Sequence, residues 1–270
     1  MNTRPIGIFD SGSGGLTVWK SITVLLPHES TIYIGDHAYT PYGEKTKDFI
    51  RKRVIRSLRF LLSKNVKIIV IACNAATVSG IDYFRKQFQD IPIVGVVPVV
   101  KTAAEKTKTG KFAVLSTLYT AKSQYQKKLI STFAPGCCVY SLGNTELIRL
   151  IEEGRKDSPE VALLLENVLR PVLAKHIDVL ALGCTHFPFL RIFIENIVGK
   201  SVMVLDSGQA VARQVKHILE HEGMFSLQIT PEYQFFTTGD PTYVTNVASQ
   251  LLGSPIVVEQ AQIPYNSTHE

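Results

Sequence analysis

The chain has 270 residues, of which 45% are hydrophobic, and its formal net charge at pH 7 is +6. This length suffices for two domains, and the apolar fraction argues against a disordered chain. No apolar run approaches the roughly 18 residues of a membrane span, and the amino-terminal segment has no signal-peptide core. We therefore expect a cytoplasmic protein without a membrane partner.

The chain contains four cysteines, too few and too scattered for a disulfide framework. It has no Cys-x-x-Cys pair, and its Cys and His residues lack the short spacing of a tetrahedral zinc site. We therefore expect no bound metal, and thiols that are either structural or catalytic.

The densest positive charge lies in residues 45–56. Apolar residues recur there with helical spacing at Ile50, Val54 and Leu58, which predicts an amphipathic helix with its basic side chains on the solvated face. No aromatic stacking motif accompanies the charge, so no nucleic-acid partner is required.

Short apolar strands alternate with amphipathic helices along the chain, which predicts parallel sheets covered by helices on both faces. The strand at residues 6–9 leads into a glycine-rich turn at residues 10–15. Such a turn directs backbone N–H groups toward an anion; the alternative is a tight turn in which Asp10 or Ser11 caps the next helix. The turn lacks the lysine of a Walker A loop and the third glycine of a dinucleotide fingerprint.

Two further strands each deliver a cysteine at the carboxyl end: residues 68–72 precede Cys73, and residues 179–183 precede Cys184. A lone cysteine at such a place is most often a small buried apolar residue. Ligands of parallel sheets bind beyond the carboxyl ends of the strands, however. Because hydrogen-bonding residues follow both thiols, we interpret the pair as flanking a substrate from opposite sides.

The strand and helix pattern restarts near residue 98, and residues 206–208 repeat the Asp-Ser-Gly of residues 10–12. We therefore expect an internally duplicated α/β protein, with two doubly wound, pseudo-symmetric domains and mainly parallel sheets. The first domain comprises residues 1–97 and 208–262, and the second comprises residues 98–207.

Three motifs resemble the signatures of bacterial glutamate racemase, in the aspartate/glutamate racemase superfamily. They are residues 9–15 (Phe-Asp-Ser-Gly-Ser-Gly-Gly), 72–77 (Ala-Cys-Asn-Ala-Ala-Thr) and 183–188 (Gly-Cys-Thr-His-Phe-Pro). Residues 41–45 and 116–123 match two further family segments. The motifs follow the family's order, and the resemblance extends from residue 6 to about residue 260.

The resemblance implies an isomerase that interconverts L-glutamate and D-glutamate without a cofactor and supplies D-glutamate for peptidoglycan synthesis. In such enzymes two α/β domains face each other, and the active site lies in the cleft between them. One thiolate removes the α-proton and a second thiol protonates the opposite face. By this analogy Cys73 acts on D-glutamate and Cys184 on L-glutamate. Asp10 would assist Cys73, His186 would assist Cys184, and Glu152 is a further catalytic candidate.

The family's substrate-binding positions fall on several segments of this chain. They are Asp10, Ser11, Pro41, Tyr42, Gly43, Asn74, Ala75, Thr117, Thr120, Thr185 and His186. The family commonly has threonine at the position of Ala75, so we expect weaker binding or a shifted preference here, and not loss of the reaction. Glutamate is the partner that the resemblance implies, and a homodimer stays open because family members differ in dimer arrangement.

Other functions stay open at this point. A sister enzyme of the same fold, such as an aspartate racemase or a related isomerase, would carry similar motifs, although two cysteines favour racemisation over decarboxylation. A different class is a non-catalytic small-anion-binding module built on the turn at residues 12–15. A thiol redox protein is disfavoured by the absence of a Cys-x-x-Cys pair.

Overall fold

The structure, a computed structural model, describes residues 2–97 and 99–263. Its strands are β1 (Ile6–Asp10), β2 (Thr31–Gly35), β3 (Ile68–Ile71), β4 (Ile93–Gly95), β5 (Lys111–Ser116), β6 (Cys138–Gly143), β7 (Val179–Leu182), β8 (Met203–Leu205), β9 (Tyr233–Thr237) and β10 (Val258–Gln260). Its α-helices are α1 (Leu16–Leu25), α2 (Lys47–Ser63), α3 (Asn74–Gln87), α4 (Val100–Lys106), α5 (Leu118–Lys122), α6 (Gln124–Phe133), α7 (Glu146–Glu152), α8 (Pro159–Leu173), α9 (Arg191–Val198), α10 (Gly208–His221) and α11 (Pro241–Leu252). Short 3₁₀ turns occupy His37–Tyr39, Tyr42–Glu44 and Phe187–Leu190.

The strands form two parallel sheets with the same central order. One sheet runs β10-β9-β2-β1-β3-β4 and the other runs β6-β5-β7-β8. The order β2-β1-β3-β4 is thus repeated as β6-β5-β7-β8, which confirms the predicted duplicated α/β fold. We refer to the six-stranded sheet with its helices as the first domain and to the four-stranded sheet with its helices as the second.

The repeat fixes which motifs are equivalent. Strands β3 and β7 occupy the same place in the two sheets, so Cys73 and Cys184 follow equivalent strands. The Asp-Ser-Gly of residues 206–208 follows β8, which is equivalent to β4 and not to β1. The predicted correspondence between that segment and residues 10–12 is therefore wrong.

Helices cover both faces of each sheet, which explains why the central strands are continuous apolar runs. Strands β1, β3 and β7 are buried along their whole length. Helix α2 turns Ile50, Val54 and Leu58 into the core, as its spacing predicts. Within residues 2–97 and 99–263 no helix combines the length and apolarity needed to cross a membrane.

One cation of the basic segment does not lie on the solvated face. Arg53 is only 7% exposed, and its Nη2 lies 2.6 Å from Oδ1 of Asp36. The guanidinium also stacks on the ring of Tyr39, 4.0 Å from its centroid. The helical spacing placed every basic residue of this segment in solvent, and for Arg53 that prediction is wrong because a buried carboxylate compensates its charge.

A second buried ion pair ties the amino terminus to the segment that follows α10. Nζ of Lys67 lies 2.5 Å from Oε2 of Glu29 and donates to the carbonyl oxygens of Asn2 and Met224, at 2.8 Å each. The other Glu29 oxygen accepts the backbone N–H of Ser226 at 2.8 Å. Each charge is thus compensated inside the protein.

We expect Lys67→Met to lower the free energy of unfolding by about 3–5 kcal/mol, because it leaves the buried carboxylate of Glu29 without its cation. Urea unfolding measures the change. Arg170→Met, which breaks the exposed pair between Arg170 and Glu166, is the matched control and should cost less than about 1 kcal/mol. Equal effects of the two substitutions would contradict the structural role assigned to the buried pair.

Candidate active site

The carboxyl ends of β1, β3, β5 and β7 surround a small cavity between the two domains. Both Cys73 and Cys184 line it, as do Ser11, Pro41, Tyr42, Gly43, Asn74, Ala75, Thr117, Ile148, Thr185 and His186. The two thiols are free, and they are 5% and 6% exposed. The structure thus brings most of the predicted site residues together, and it adds Ile148, which no motif indicated.

Three predicted residues lie behind this lining. The carboxylates of Asp10 and Glu152 contact lining residues from behind, as described below. Thr120 hydrogen-bonds Thr117: the Thr117 hydroxyl lies 3.1 Å from the Thr120 hydroxyl and accepts the Thr120 N–H at 3.1 Å. Thr120 therefore holds the side chain of Thr117 and does not itself line the cavity.

The thiol of Cys73 is linked to a carboxylate through a hydroxyl. Its Sγ donates to Oγ of Ser11 at 3.4 Å, and that hydroxyl donates to Oδ1 of Asp10 at 3.3 Å. Cys73 also caps helix α3, where its Sγ accepts the N–H of Ala76. Burial raises the pKa of the Cys73 thiol well above its ordinary value, and the nearby charge of Asp10 raises it further. The protonated thiol is thus the favoured form.

Asp10 is held from both domains. The N–H of Gly12 donates to its Oδ1 at 2.9 Å, and the hydroxyl of Thr185, in the second domain, donates to its Oδ2 at 3.0 Å. Burial raises the pKa of Asp10, although the charge of His186 and these hydrogen bonds act in the opposite direction. Among the described residues no side chain caps helix α1, which begins after Gly15. The alternative role of Asp10 or Ser11 as a helix cap is therefore wrong.

The thiol of Cys184 is linked to a carboxylate through an imidazole. Its Sγ lies 3.7 Å from Nδ1 of His186, and Nε2 of His186 lies 2.6 Å from Oε1 of Glu152. Burial alone would lower the pKa of His186, but its contacts with Cys184 and Glu152 outweigh burial and raise that pKa well above its ordinary value. A protonated His186 donates to the carboxylate on one side and toward the sulfur on the other.

The carboxyl group of Glu152 is ionised over nearly the whole pH range. Burial would raise its pKa, yet the hydrogen bond and charge of His186, the charge of His37 and the N–H of Ser13 lower the pKa of Glu152 to about 2. His186 and Glu152 therefore form a buried imidazolium–carboxylate pair, a charged arrangement that polarises the space beside Cys184.

The glycine-rich turn binds an anion, which is the carboxylate of Glu152 in the same chain. The N–H of Ser13 donates to Oε1 of Glu152 at 2.6 Å, and the Ser13 hydroxyl donates to Oε2 at 2.9 Å. A Cβ on Gly12 would overlap Oε1 of Glu152, and a Cβ on Gly14 would overlap the ring of His186. These glycines allow side chains of the second domain to approach the backbone of the first.

The loop that carries Tyr42 is anchored by residues that no motif indicated as functional. The Tyr42 hydroxyl donates to Oδ2 of Asp36 at 2.5 Å, and Arg53 donates to both oxygens of the same carboxylate. Asp36 directly follows β2. The rule that ligands bind beyond the carboxyl ends of parallel strands, which indicated Asp10, could therefore have indicated Asp36 as well. The contact with Arg53 depends on packing and has no comparable signal in the sequence.

Asn74 offers the cavity an unused donor and acceptor. It is 3% exposed, and within the described part of the chain neither its Oδ1 nor its Nδ2 has a hydrogen-bond partner. Leaving such a buried group unpaired costs about 1–3 kcal/mol. A polar ligand in the cavity would remove this cost, so the arrangement favours a small polar ligand.

A larger open groove of about 860 Å³ adjoins the cavity. Gly43 lines both the groove and the cavity, but neither Cys73 nor Cys184 lines the groove. Within the described ranges, no three His, Cys, Asp or Glu side chains are grouped so that they could hold a metal ion. The smaller cavity is lined by two thiols and an imidazole, with two carboxylates behind them, and these side chains support acid–base chemistry.

Residues 20–215 match the sequence profile of the Asp/Glu/Hydantoin racemase family. The chain belongs to this racemase family. It is 38% identical to the glutamate racemase of Ectopseudomonas mendocina over 259 residues, which cover 96% of this chain and 97% of that protein. The resemblance to glutamate racemase that the motifs carry is confirmed.

Solved structures of racemases extend this likeness to the whole fold. The glutamate racemase isoform RacE1 of Bacillus anthracis has a TM-score of 0.90 and 33% identity, with 98% of this chain and 99% of that one covered. The glutamate racemase of Francisella tularensis, solved in complex with D-glutamate, has a TM-score of 0.86 and 29% identity, with both chains fully covered.

The buried pair of His186 and Glu152 predicts a pH dependence of stability. His186 keeps its proton in the folded protein above pH 6.5, where an unfolded histidine loses it. The free energy of unfolding should therefore fall as the pH rises through this range, by about 1.4 kcal/mol per unit. Glu152 stays ionised down to about pH 2, whereas an unfolded glutamate is protonated near about pH 4.3. Stability should therefore also fall as the pH drops between these values.

We expect Glu152→Gln to remove the acid dependence that Glu152 causes, because the variant has no carboxylate at this site. It should weaken the dependence above pH 6.5, because the buried imidazole keeps Cys184 but loses Glu152, the other partner that raises its pKa. Urea unfolding between pH 3 and pH 9 measures the difference from the parent protein. Glu166→Gln on the exposed face of α8 is the control and should leave the profile unchanged. Parallel profiles for the parent and Glu152→Gln would contradict the ion pair.

Proposed function

We propose that this chain is a glutamate racemase that interconverts L-glutamate and D-glutamate by proton transfer at two thiols and without a cofactor. The observation that carries the proposal is that Cys73 and Cys184 follow equivalent strands of the two sheets and line a single cavity. Inversion at a carbon atom needs a base on one face and an acid on the other. D-glutamate made in this way supplies peptidoglycan synthesis, which makes the cytoplasm the expected location.

The surroundings of the two thiols support different roles. The imidazole of His186 lies 3.7 Å from Sγ of Cys184 and can exchange a proton with it, whereas burial and Asp10 keep the proton on Cys73. Cys184 therefore acts as the base that removes the α-proton of L-glutamate. The Cys73 thiol then donates its proton to the opposite face of the carbanion. For D-glutamate the roles are exchanged, and Cys73 becomes the base.

Each thiol has a route along which its proton can be exchanged after turnover. Cys73 is connected through the Ser11 hydroxyl to Asp10, whose pKa is raised by burial. Cys184 is connected directly to the imidazole of His186. Asp10 thus assists Cys73 through a hydroxyl, and His186 assists Cys184 by contact. Glu152 acts through His186.

The remaining lining residues hold the substrate. Asn74 supplies an unpaired amide, and Ser11, Thr117 and Thr185 supply hydroxyls at the cavity wall, with Pro41, Tyr42, Gly43 and Ala75 completing it. Fixed dipoles and hydrogen-bond donors of this kind stabilise a developing carbanion. The cavity volume of about 10 Å³ is close to the minimum that holds one water molecule, so the cavity must widen to admit glutamate.

We place the domain bounds at residues 1–97 with 208–262 for the first domain and 98–207 for the second. These bounds assign β1–β4, β9 and β10 to the first domain and β5–β8 to the second; residues 1 and 98 lie outside the described ranges. Every residue to which the proposal gives a role in the reaction lies in one copy of the chain. The proposed chemistry is therefore compatible with a monomer and with a homodimer.

The function is tested by incubating the protein with L-glutamate or L-aspartate, without added cofactor, and following optical activity by circular dichroism. We expect loss of optical activity with glutamate and none with aspartate. Faster reaction of aspartate would indicate a sister racemase. Binding of small anions with neither reaction would indicate a non-catalytic binding module.

We expect Cys73→Ala and Cys184→Ala each to lower the turnover of glutamate by about 10²–10⁴-fold in both directions, because each removes the acid or base from one face. Cys138→Ala, at an exposed thiol outside the cavity, is the matched control and should retain full activity. Initial rates from either enantiomer measure the effect. Full turnover by either of the first two variants would contradict the two-thiol mechanism.

A further inference from the structure

The carboxylate of Glu152 crosses from one domain to the other. Glu152 is the last residue of α7 in the second domain, yet it accepts hydrogen bonds from the N–H and the hydroxyl of Ser13 in the first. A third group of the first domain faces the same carboxylate: Nε2 of His37 lies 3.8 Å from Oε2 of Glu152. The cavity lining includes neither Ser13 nor His37.

The imidazole of His37 is held in a fixed place. Its side chain is only 8% exposed, and its Nδ1 lies 3.1 Å from the carbonyl oxygen of Gly35 and 2.9 Å from the hydroxyl of Thr237. On the other side of the ring, Nε2 lies 3.0 Å from Oγ of Ser13. A Cβ on Gly35 would overlap the ring, so a glycine is required where the imidazole crosses the backbone.

Counting the hydrogens in this network fixes the direction of the hydrogen bond between His37 and Ser13. An ionised carboxylate can only accept, so the single hydroxyl hydrogen of Ser13 is directed to Glu152. Oγ of Ser13 must then accept from Nε2 of His37. His37 therefore holds the Ser13 hydroxyl in the orientation in which it donates to Glu152.

We propose that Ser13 and His37 form a docking socket for Glu152, which fixes His186 against Cys184 when the two domains close. His37 is thus a positioning residue for the reaction: it acts through Ser13 and Glu152 and touches neither the thiols nor the cavity. The charge of His37 also contributes to the lowered pKa of Glu152. The inference rests on the proposed racemase function and adds the group that orients its Cys184 side.

A double-mutant cycle between His37 and Glu152 tests the socket. His37→Phe keeps a ring of similar size and removes the N–H that Ser13 accepts, and Glu152→Gln removes the charge that the socket binds. We expect His37→Phe to lower kcat about tenfold in both directions with less than about a twofold change in KM. In the Glu152→Gln background it should have no further effect, because the group through which it acts is already altered.

If the effects of the two substitutions multiply, His37 acts independently of Glu152 and the proposal is wrong. It is equally wrong if His37→Phe leaves kcat unchanged. His217→Phe, at an exposed histidine of α10, is the matched control and should change neither kcat nor KM.

A second measurement does not depend on racemisation. Iodoacetamide alkylates both thiols, and peptide mass spectrometry follows Cys73 and Cys184 separately. We expect His37→Phe to slow alkylation of Cys184 several-fold and to leave Cys73 unchanged, because the socket orients only the Cys184 side. An equal change at both thiols would indicate general loosening and would overturn the proposal. A parent protein that shows this selective effect but no racemisation would overturn the proposed function alone.

Gly12→Ala tests the same socket if His37→Phe does not fold. The added methyl group would displace Oε1 of Glu152, which is the end of a flexible side chain, while His37 keeps its own contacts. We expect the same selective slowing of Cys184 alkylation. Unchanged alkylation of Cys184 in Gly12→Ala would contradict the docking role of the turn.

Discussion

Two buried carboxylates, each held by a residue of the opposite domain, are the constraint on which the site depends. Asp10 belongs to the first domain and accepts the hydroxyl of Thr185 from the second, whereas Glu152 belongs to the second and accepts two hydrogen bonds from Ser13 of the first. A buried carboxylate without partners is costly. The two carboxylates are thus fully paired only when the domains meet, and the same closure brings the two thiols to one cavity.

The two sides of the cavity have the same plan but different charge. One thiol reaches its carboxylate through a hydroxyl, and the other reaches it through an imidazole. Only the imidazole can carry a positive charge, so a cation lies beside the sulfur of Cys184, whereas burial and Asp10 favour the protonated form of Cys73. A duplicated fold has therefore produced two chemically complementary sides, which is what a reaction with one base and one acid requires.

The sequence predicts the parts of this arrangement that follow from strand ends. Because ligands of parallel sheets bind beyond the carboxyl ends of the strands, Asp10 and Cys73 are predicted at that edge of the first sheet and Cys184 at that edge of the second. The glycine-rich turn was also recognisable as an anion site. Its anion was not, because Ser13 and Glu152 are 139 positions apart, and only packing brings them within hydrogen-bond distance.

Other contacts were beyond sequence reasoning for the same physical reason. The helical pattern predicts that Arg53 is exposed to solvent, but Arg53 is buried because it pairs with the buried carboxylate of Asp36. His37 lies in a short 3₁₀ turn with no motif around it, and its place in the network depends on the missing side chain of Gly35. Such contacts join residues from separate elements, so the hydrophobic periodicity within one helix or strand does not predict them.

The central claim is that two different sulfurs act on opposite faces of one carbon atom. Turnover of L-glutamate in D₂O, followed by NMR at early times, tests it most directly. The account predicts that D-glutamate carries deuterium at the α-carbon from the first turnover, because its new proton comes from Cys73, while the remaining L-glutamate keeps its hydrogen. Appearance of the original hydrogen in D-glutamate would show that a single group serves both faces and would contradict the account.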